Sequence, residues 1–301
     1  MEFYKKVIKD QSMRFKIMRL FNFLPDNAMI KLIYRIKTGR MPNLISPKRY
    51  TEKLQWYKLN YHDPLITKCS DKFEVRDYVT SKGYSNILND LYGVYENVDE
   101  IDFDSLPSSF AIKVNDGSGT NIFIQDKASM DIDAVKNQLE IWLRPKKRTV
   151  YREWGYYNIK PKIVIEKLLE RDSNNDLPDY KFFCFNGKVF CLYTMIDYID
   201  NHANGKLGFY DADFNKMPYR RNDYGEITVN LPKPKNFKKM VEIAEKLSED
   251  FPHVRVDFYN LDGEIIFGEL TFYNAGGYTS FIPDEFDFIL GEQFVLPKKL
   301  R

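Results

Sequence analysis

The sequence predicts an α+β protein built from mostly antiparallel strands. Beyond Pro107, seven short runs have strand character, at 110–114, 122–125, 163–166, 180–185, 189–195, 254–259 and 264–272. Between and before them, apolar residues recur at helical spacing. With 301 residues, 44% of them hydrophobic and 16% aromatic, the chain can bury a sizeable core.

Taken in order, residues 1–40 read as a basic helical opening that ends before Met41-Pro-Asn-Leu-Ile-Ser-Pro47. Helical spacing resumes over 50–59 with Leu54, Trp56 and Tyr57. A further helix is expected to begin at Ser70, where Ser70 and Asp71 suit an N-terminus because their oxygens accept from free N–H groups. The strands follow, with helices at 134–143 and 237–247. Three regions are expected: 1–49, 50–165 and 166–301, with a hinge near 166–178.

Composition narrows the function. The 45 Lys+Arg against 43 Asp+Glu give a net charge of +2, so no global field selects nucleic acid. Cys69, Cys184 and Cys191 lack the spacing of a metal site or a disulfide framework, which suits a reducing, cytoplasmic setting. Charge is uneven: residues 1–40 carry net +7 and the remainder net −5. There Phe3, Val7, Ile8, Phe15, Met18, Phe21 and Leu24 are interleaved with Lys and Arg. Either the segment packs on its own domain with a solvated basic face, or it docks peripherally on an anionic membrane surface near lipid-linked glycan.

Two motifs carry chemistry. In Phe110-Ala-Ile-Lys-Val-Asn-Asp-Gly-Ser-Gly-Thr-Asn121 a strand bearing Lys113 runs into a turn of small residues. The turn is either an ordinary hairpin connection or a cover for phosphates, with Asn115, Gly117, Ser118 and Gly119 bringing backbone N–H groups close. The second motif is His253-Val-Arg-Val-Asp-Phe-Tyr-Asn-Leu-Asp-Gly-Glu-Ile-Ile-Phe-Gly-Glu-Leu-Thr271. A three-residue turn at 261–263 would set Asp257 opposite Phe267 and Arg255 opposite Glu269. Arg255, Asp257 and Glu269 then share a face, as a site for one hard cation beside a phosphate fork or as an internal ion-pair cluster.

The order of these motifs, from about residue 45 to about 290, resembles the ATP-grasp superfamily, and within it the TupA-like group associated with teichuronic acid and capsule-type polysaccharides. The resemblance implies an ATP-grasp fold, two α+β subdomains clasping ATP. It implies an ATP- and Mg²⁺-dependent carboxylate–amine ligase acting through an acyl phosphate, with a uronic-acid carboxylate and an amine as substrates. Lys72, Arg76 and Lys113 would approach the phosphates, and 115–121 would cover them. Ile163-Val-Ile-Glu-Lys-Leu-Leu169 resembles the adenine hinge, implicating Glu166 and the main chain of Lys167 and Leu169. Asp179 would hold the ribose, and Lys181 with Arg255 would face phosphate or substrate. Asp257 and Glu269 match the magnesium strands; Thr271 stands where the superfamily has Asn, with Asn274 nearby as a third ligand.

Rival signals are weaker. Asp211-Ala-Asp213 fits the Asp-x-Asp spacing of glycosyltransferases, the alternative function, but similar strings occur at 102–104 and 131–133. His62, His202 and His253 are too scattered to form a base, and 144–148 reads as a solvated basic loop.

Overall fold

A computed structural model describes residues 18, 20–144, 149–199 and 204–300. Most of the basic opening, the run 145–148 and His202 lie outside the described residues. The described chain folds around two sheets. In the smaller, β1 (Leu91–Tyr95), β2 (Phe110–Val114), β3 (Asn121–Ile124) and β4 (Ile163–Glu166) stand in the order β1-β4-β2-β3, all neighbours antiparallel. Ile112, Val114, Ile163 and Ile165 on one face share a core with Val135 and Leu139 of helix Ile132–Leu143.

Residues 167–178 lead to the larger sheet. Its strands β5 (Asp179–Phe185), β6 (Lys188–Ile196), β7 (Lys206–Asp211), β9 (Gly225–Glu226), β10 (His253–Leu261) and β11 (Glu264–Thr271) stand in the order β11-β10-β5-β6-β7-β9. Only the β7–β9 pair is parallel among these. A short pair, β8 (Arg220–Arg221) with β12 (Phe281–Ile282), lies beside it. Helix Phe237–Ser248 covers one face with Phe237, Met240, Ile243, Ala244 and Leu247, a stripe set by the 3.6-residue repeat. Helix Tyr50–Asn60 packs against helix Glu285–Gln293, and Tyr50, Leu54 and Tyr57 join the core of the large sheet.

The seven strands read from sequence are present within a residue or two of their expected ends. Two readings need correction. Ser70 closes helix Pro64–Ser70 instead of opening one; the Asp71 carboxylate accepts from Phe73 N (2.8 Å) and Glu74 N (3.2 Å), and the next helix is Val75–Ser81. The β10–β11 turn has two residues, Asp262 and Gly263, both at positive φ, so Leu261 pairs with Glu264. A bulge at Gly268 then puts Asp257 opposite Glu269 and Arg255 opposite Thr271, not the expected register.

Candidate active site

Side chains alternate across a strand, and residues paired between antiparallel strands share a face. The ladder pairs Tyr259 with Asp179, Asp257 with Lys181 and with Glu269, Arg255 with Thr271, and Lys181 with Tyr193. Asp179, Lys181, Tyr193, Arg255, Asp257, Glu269 and Thr271 therefore stand on one face. The opposite face carries Val254, Val256, Phe258 and Phe182 into the core. This division of β5 and β10 into a charged and an apolar face is what builds the site.

Arg255 is the hub. Its guanidinium forks onto Asp257 (Nε–Oδ1 2.7 Å, Nη2–Oδ2 2.6 Å) and donates to Glu269 Oε1 (3.2 Å), Thr271 Oγ1 (2.9 Å), Tyr193 Oη (3.1 Å) and Asn274 Oδ1. Lys181 lies between Asp179 and Asp257, 2.8 Å from the latter. Burial alone would lower the Lys181 ammonium, but Asp179 and Asp257 hold it well above its ordinary value. Burial lifts Asp179 to about 6 against the pull of Lys181. Burial opposes ionisation of Glu269 too, yet Arg255 and Lys181 hold that carboxyl down to about 2.

Further cations come from β2, which carries Lys113, and from the segment around helix Val75–Ser81, which carries Lys72 and Arg76. Lys113 donates to Glu166 Oε2 (2.7 Å), and Arg76 reaches Glu166 Oε1 (3.4 Å) and Asn89 O (2.9 Å). Lys72 donates to the carbonyls of Val114 (3.2 Å) and Gly117, and burial lowers its pKa although Glu269 raises it. Gly117 and Gly119 sit at φ +83° and +78°, and a Cβ on either would touch nothing, so conformation and not crowding requires glycine. Ser118 is exposed at the tip. Asn115 is wholly buried: its amide donates to Asp71 Oδ2 (2.6 Å) and Lys160 O (3.1 Å), and its oxygen accepts from Lys162 N (2.7 Å). It anchors the loop from below.

In the linker, Lys167 N donates to Asp90 O (2.9 Å) and Lys167 O accepts from Asn89 (2.8 Å), while Leu169 lies two residues further along. After β11, Ala275, Gly276 and Gly277 take φ of 48°, 63° and 71°. The carbonyls of this turn are held by buried Lys58 and Gln55 from helix Tyr50–Asn60. Tyr193, Gln55 and Lys58 carry no motif, so only the register and the packing bring them here.

Among the described residues, no group of three or more His, Cys, Asp or Glu forms a metal site. Two carboxylates nevertheless suit Mg²⁺, which keeps waters and takes phosphate oxygens at its other positions. Asp257 and Glu269, directly opposite each other, supply that donor set; 44% of the Glu269 side chain is exposed, whereas Asp257, 2% exposed and held by Arg255 and Lys181, would exchange Lys181 for the cation. Thr271 donates to Glu269 Oε1 (2.6 Å), and both Thr271 and Asn274 accept from Arg255. The Asp211 carboxylate accepts from Asp213 N, Asn215 N and Asn215 Nδ2, all at 2.8–2.9 Å, so that Asp-x-Asp string closes a turn. Cavities of about 570 Å³ at Asn174, Asp197 and Lys206 and of about 440 Å³ at Thr67, Glu74 and Trp154 are not lined by the charged cluster.

The family model for TupA-like ATP-grasp proteins matches residues 52–295. The chain belongs to the TupA-like ATP-grasp family. Its fold is accordingly the ATP-grasp fold, α+β with two sheets. No curated protein matches the sequence. Among solved structures, the TupA-like chain is similar to a D-alanine–D-alanine ligase from Bacillus anthracis complexed with ATP, at 14% identity over 67% of this chain and 53% of that one, TM-score 0.38. It is also similar to the Helicobacter pylori D-alanine–D-alanine ligase (12% identity, 76% and 61% covered, TM-score 0.40). A third is the ATP-grasp ligase PsnB with a precursor variant, Mg and ADP (12% identity, 82% and 66% covered, TM-score 0.42). The chain spans about half the length of the first of these.

Proposed function

We propose that this chain is an ATP-dependent ligase that activates a carboxylate as its acyl phosphate and joins it to an amine. The observation that carries the reading is the single ladder face bearing Asp179, Lys181, Arg255, Asp257 and Glu269, opposed by Lys72 and Lys113. Phosphoryl transfer depends chiefly on positioning and charge neutralisation, which suits a face rich in fixed cations without a nucleophile–base pair.

In this reading residues 50–165 and 166–301 clasp ATP between them. Lys72, Arg76, Lys113 and the 117–119 backbone take the phosphates, Asp179 the ribose, and the linker main chain at Leu169 the adenine, while the Lys167 main chain, held by Asp90 and Asn89, fixes the linker. Glu166 holds Lys113 and Arg76 in place. Asp257 and Glu269 would hold Mg²⁺, which supplies charge neutralisation at the phosphates when bound. Arg255 and Lys181 stabilise the transferred phosphoryl group as the carboxylate oxygen bonds to the γ-phosphorus and ADP leaves. The amine nitrogen then bonds to the acyl carbon, phosphate departs and the amine proton passes to solvent. A uronic-acid carboxylate of a surface glycan is the substrate class, with residues 1–40 bringing the enzyme to a membrane surface.

The test is product analysis by mass after incubation with ATP, Mg²⁺, uronic acids and amino acids. An amide product formed with stoichiometric ADP is expected; a product without ATP, or ATP consumption without any carboxylate dependence, would overturn the reading. Asp257→Asn and Glu269→Gln should each abolish Mg²⁺-dependent turnover, and activity surviving both at limiting Mg²⁺ would make the pair structural.

A further inference from the structure

Tyr193 Oη accepts from two guanidinium groups, Arg255 Nη1 at 3.1 Å and Arg221 Nη1 at 3.5 Å. Arg221 is not part of the ATP-grasp motifs; it lies on β8, paired with Phe281. Its side chain is 7% exposed and lies over the rings of Tyr193 (5.7 Å) and Tyr224 (5.1 Å). Two buried like charges sharing one phenol oxygen repel each other unless an anion is close to both. Arg255 has Asp257 and Glu269 as counter-ions, whereas Arg221 has Asp223, two residues along the same loop.

That contact is a fork: Arg221 Nε donates to Asp223 Oδ1 (3.0 Å) and Nη2 to Oδ2 (2.6 Å), the bidentate geometry by which arginine takes a carboxylate. The Asp223 side chain is 33% exposed, so water, or a solute, reaches it. Two donors beside the pair have no acceptor among the described residues. Both contacts of Tyr193 Oη are with donors, so its own proton is unassigned, and the Asn274 side-chain nitrogen is buried without a partner next to Arg255. Buried donors without acceptors are costly, and a carboxylate is the group that satisfies them.

We propose that Arg221 anchors the carboxylate of the acceptor substrate beside Arg255, whose own donors are all taken by Asp257, Glu269, Thr271, Tyr193 and Asn274, and that Asp223 is the displaceable internal stand-in for that carboxylate. The inference rests on the ligase reading above and adds to it the residue that recognises the substrate carboxylate. It makes opposite predictions for two neighbours in one ion pair. Arg221→Lys keeps the charge but loses the fork, so the carboxylate should bind more weakly; Asp223→Asn removes the competitor, so it should bind more tightly.

The experiment titrates D-glucuronate into the full chain in the presence of Mg²⁺ and ADP, by calorimetry, with ADP affinity measured separately for each protein. Arg221→Lys should weaken glucuronate binding about tenfold, and Asp223→Asn should strengthen it. If ADP binds but glucuronate does not, or if either variant fails to move glucuronate affinity in its stated direction, the anchor is overturned while the ligase reading stands. Absence of ADP binding in the wild type would instead strike the ligase reading. Thermal unfolding of both variants guards against a folding defect; if Arg221→Lys unfolds, the tightening by Asp223→Asn decides alone.

Discussion

His253 is wholly buried, and its neighbours fix its tautomer. Cys184 O can only accept, so Nδ1 carries the proton (2.9 Å), and Nε2 accepts from Tyr50 Oη (2.9 Å). Burial lowers its pKa from 6.5 to about 3. The unfolded chain therefore binds the extra proton first as pH falls. Stability is fully present above pH 6.5 and is lost towards pH 3, at about 1.4 kcal/mol per pH unit. Asp179, lifted to about 6, titrates in the same window with the opposite sign, so the difference between proteins is the readout: urea unfolding between pH 7.5 and 4.5 should lose stability more steeply in the wild type than in His253→Phe, and equal pH dependence would place the titration elsewhere. Sequence reading singled out Lys113 from its strand, and Arg255, Asp257 and Glu269 from strand alternation with an assumed hairpin register, whereas Lys181 came only with the family resemblance. Arg221 and Tyr193 were not singled out, because Tyr193 comes beside Arg255 through the β5–β6 register and Arg221 through the docking of β8 beside the sheet.

Among elements, the β10–β11 hairpin shows both the reach and the limit of counting. The strands and the Gly263 turn position follow from sequence, but counting by twos cannot detect an extra residue. The shorter turn and the Gly268 bulge together bring Glu269 opposite Asp257. A Cβ on Gly268 would stand 3.0 Å from Asp257 O and 3.4 Å from Asp257 Cβ. Gly268→Ala should therefore push apart the two strands that carry the paired acids, lowering Mg²⁺-dependent ATP turnover by about tenfold while circular dichroism stays native. Unchanged turnover and Mg²⁺ dependence would show that the bulge does not set the acid pair. Strands β1 and β7 escaped notice for a related reason. Each has a central glycine, Gly93 and Gly208, which reads as a turn in sequence. In the fold Gly208 lies close to Tyr210, where a Cβ would stand 3.2 Å from the ring.

At the scale of the molecule, charge is divided between an interior cluster, where Lys72, Lys113, Lys181 and Arg255 each have named partners, and the net +7 of residues 1–40. The second group is not needed to balance the first. Where the described chain begins, Leu20, Phe21 and Phe23 are 73%, 40% and 78% exposed, an apolar patch next in sequence to Arg14, Lys16 and Arg19. Apolar contact beside basic charge is the combination that holds a protein on an anionic lipid surface. Attraction is worth about 1 kcal/mol per nearby Lys or Arg and is screened over roughly 10 Å at 0.1 M salt, so four engaged residues suffice for retention at low ionic strength. Reversing Lys5, Lys6, Lys9 and Arg14 to Glu should abolish co-sedimentation with phosphatidylserine-containing vesicles, and high salt should release the wild type. ATP binding should be spared, because the residues proposed to face the nucleotide begin at Lys72. Equal sedimentation of the two proteins, or none for the wild type at low salt, would assign the basic residues to a solvated face.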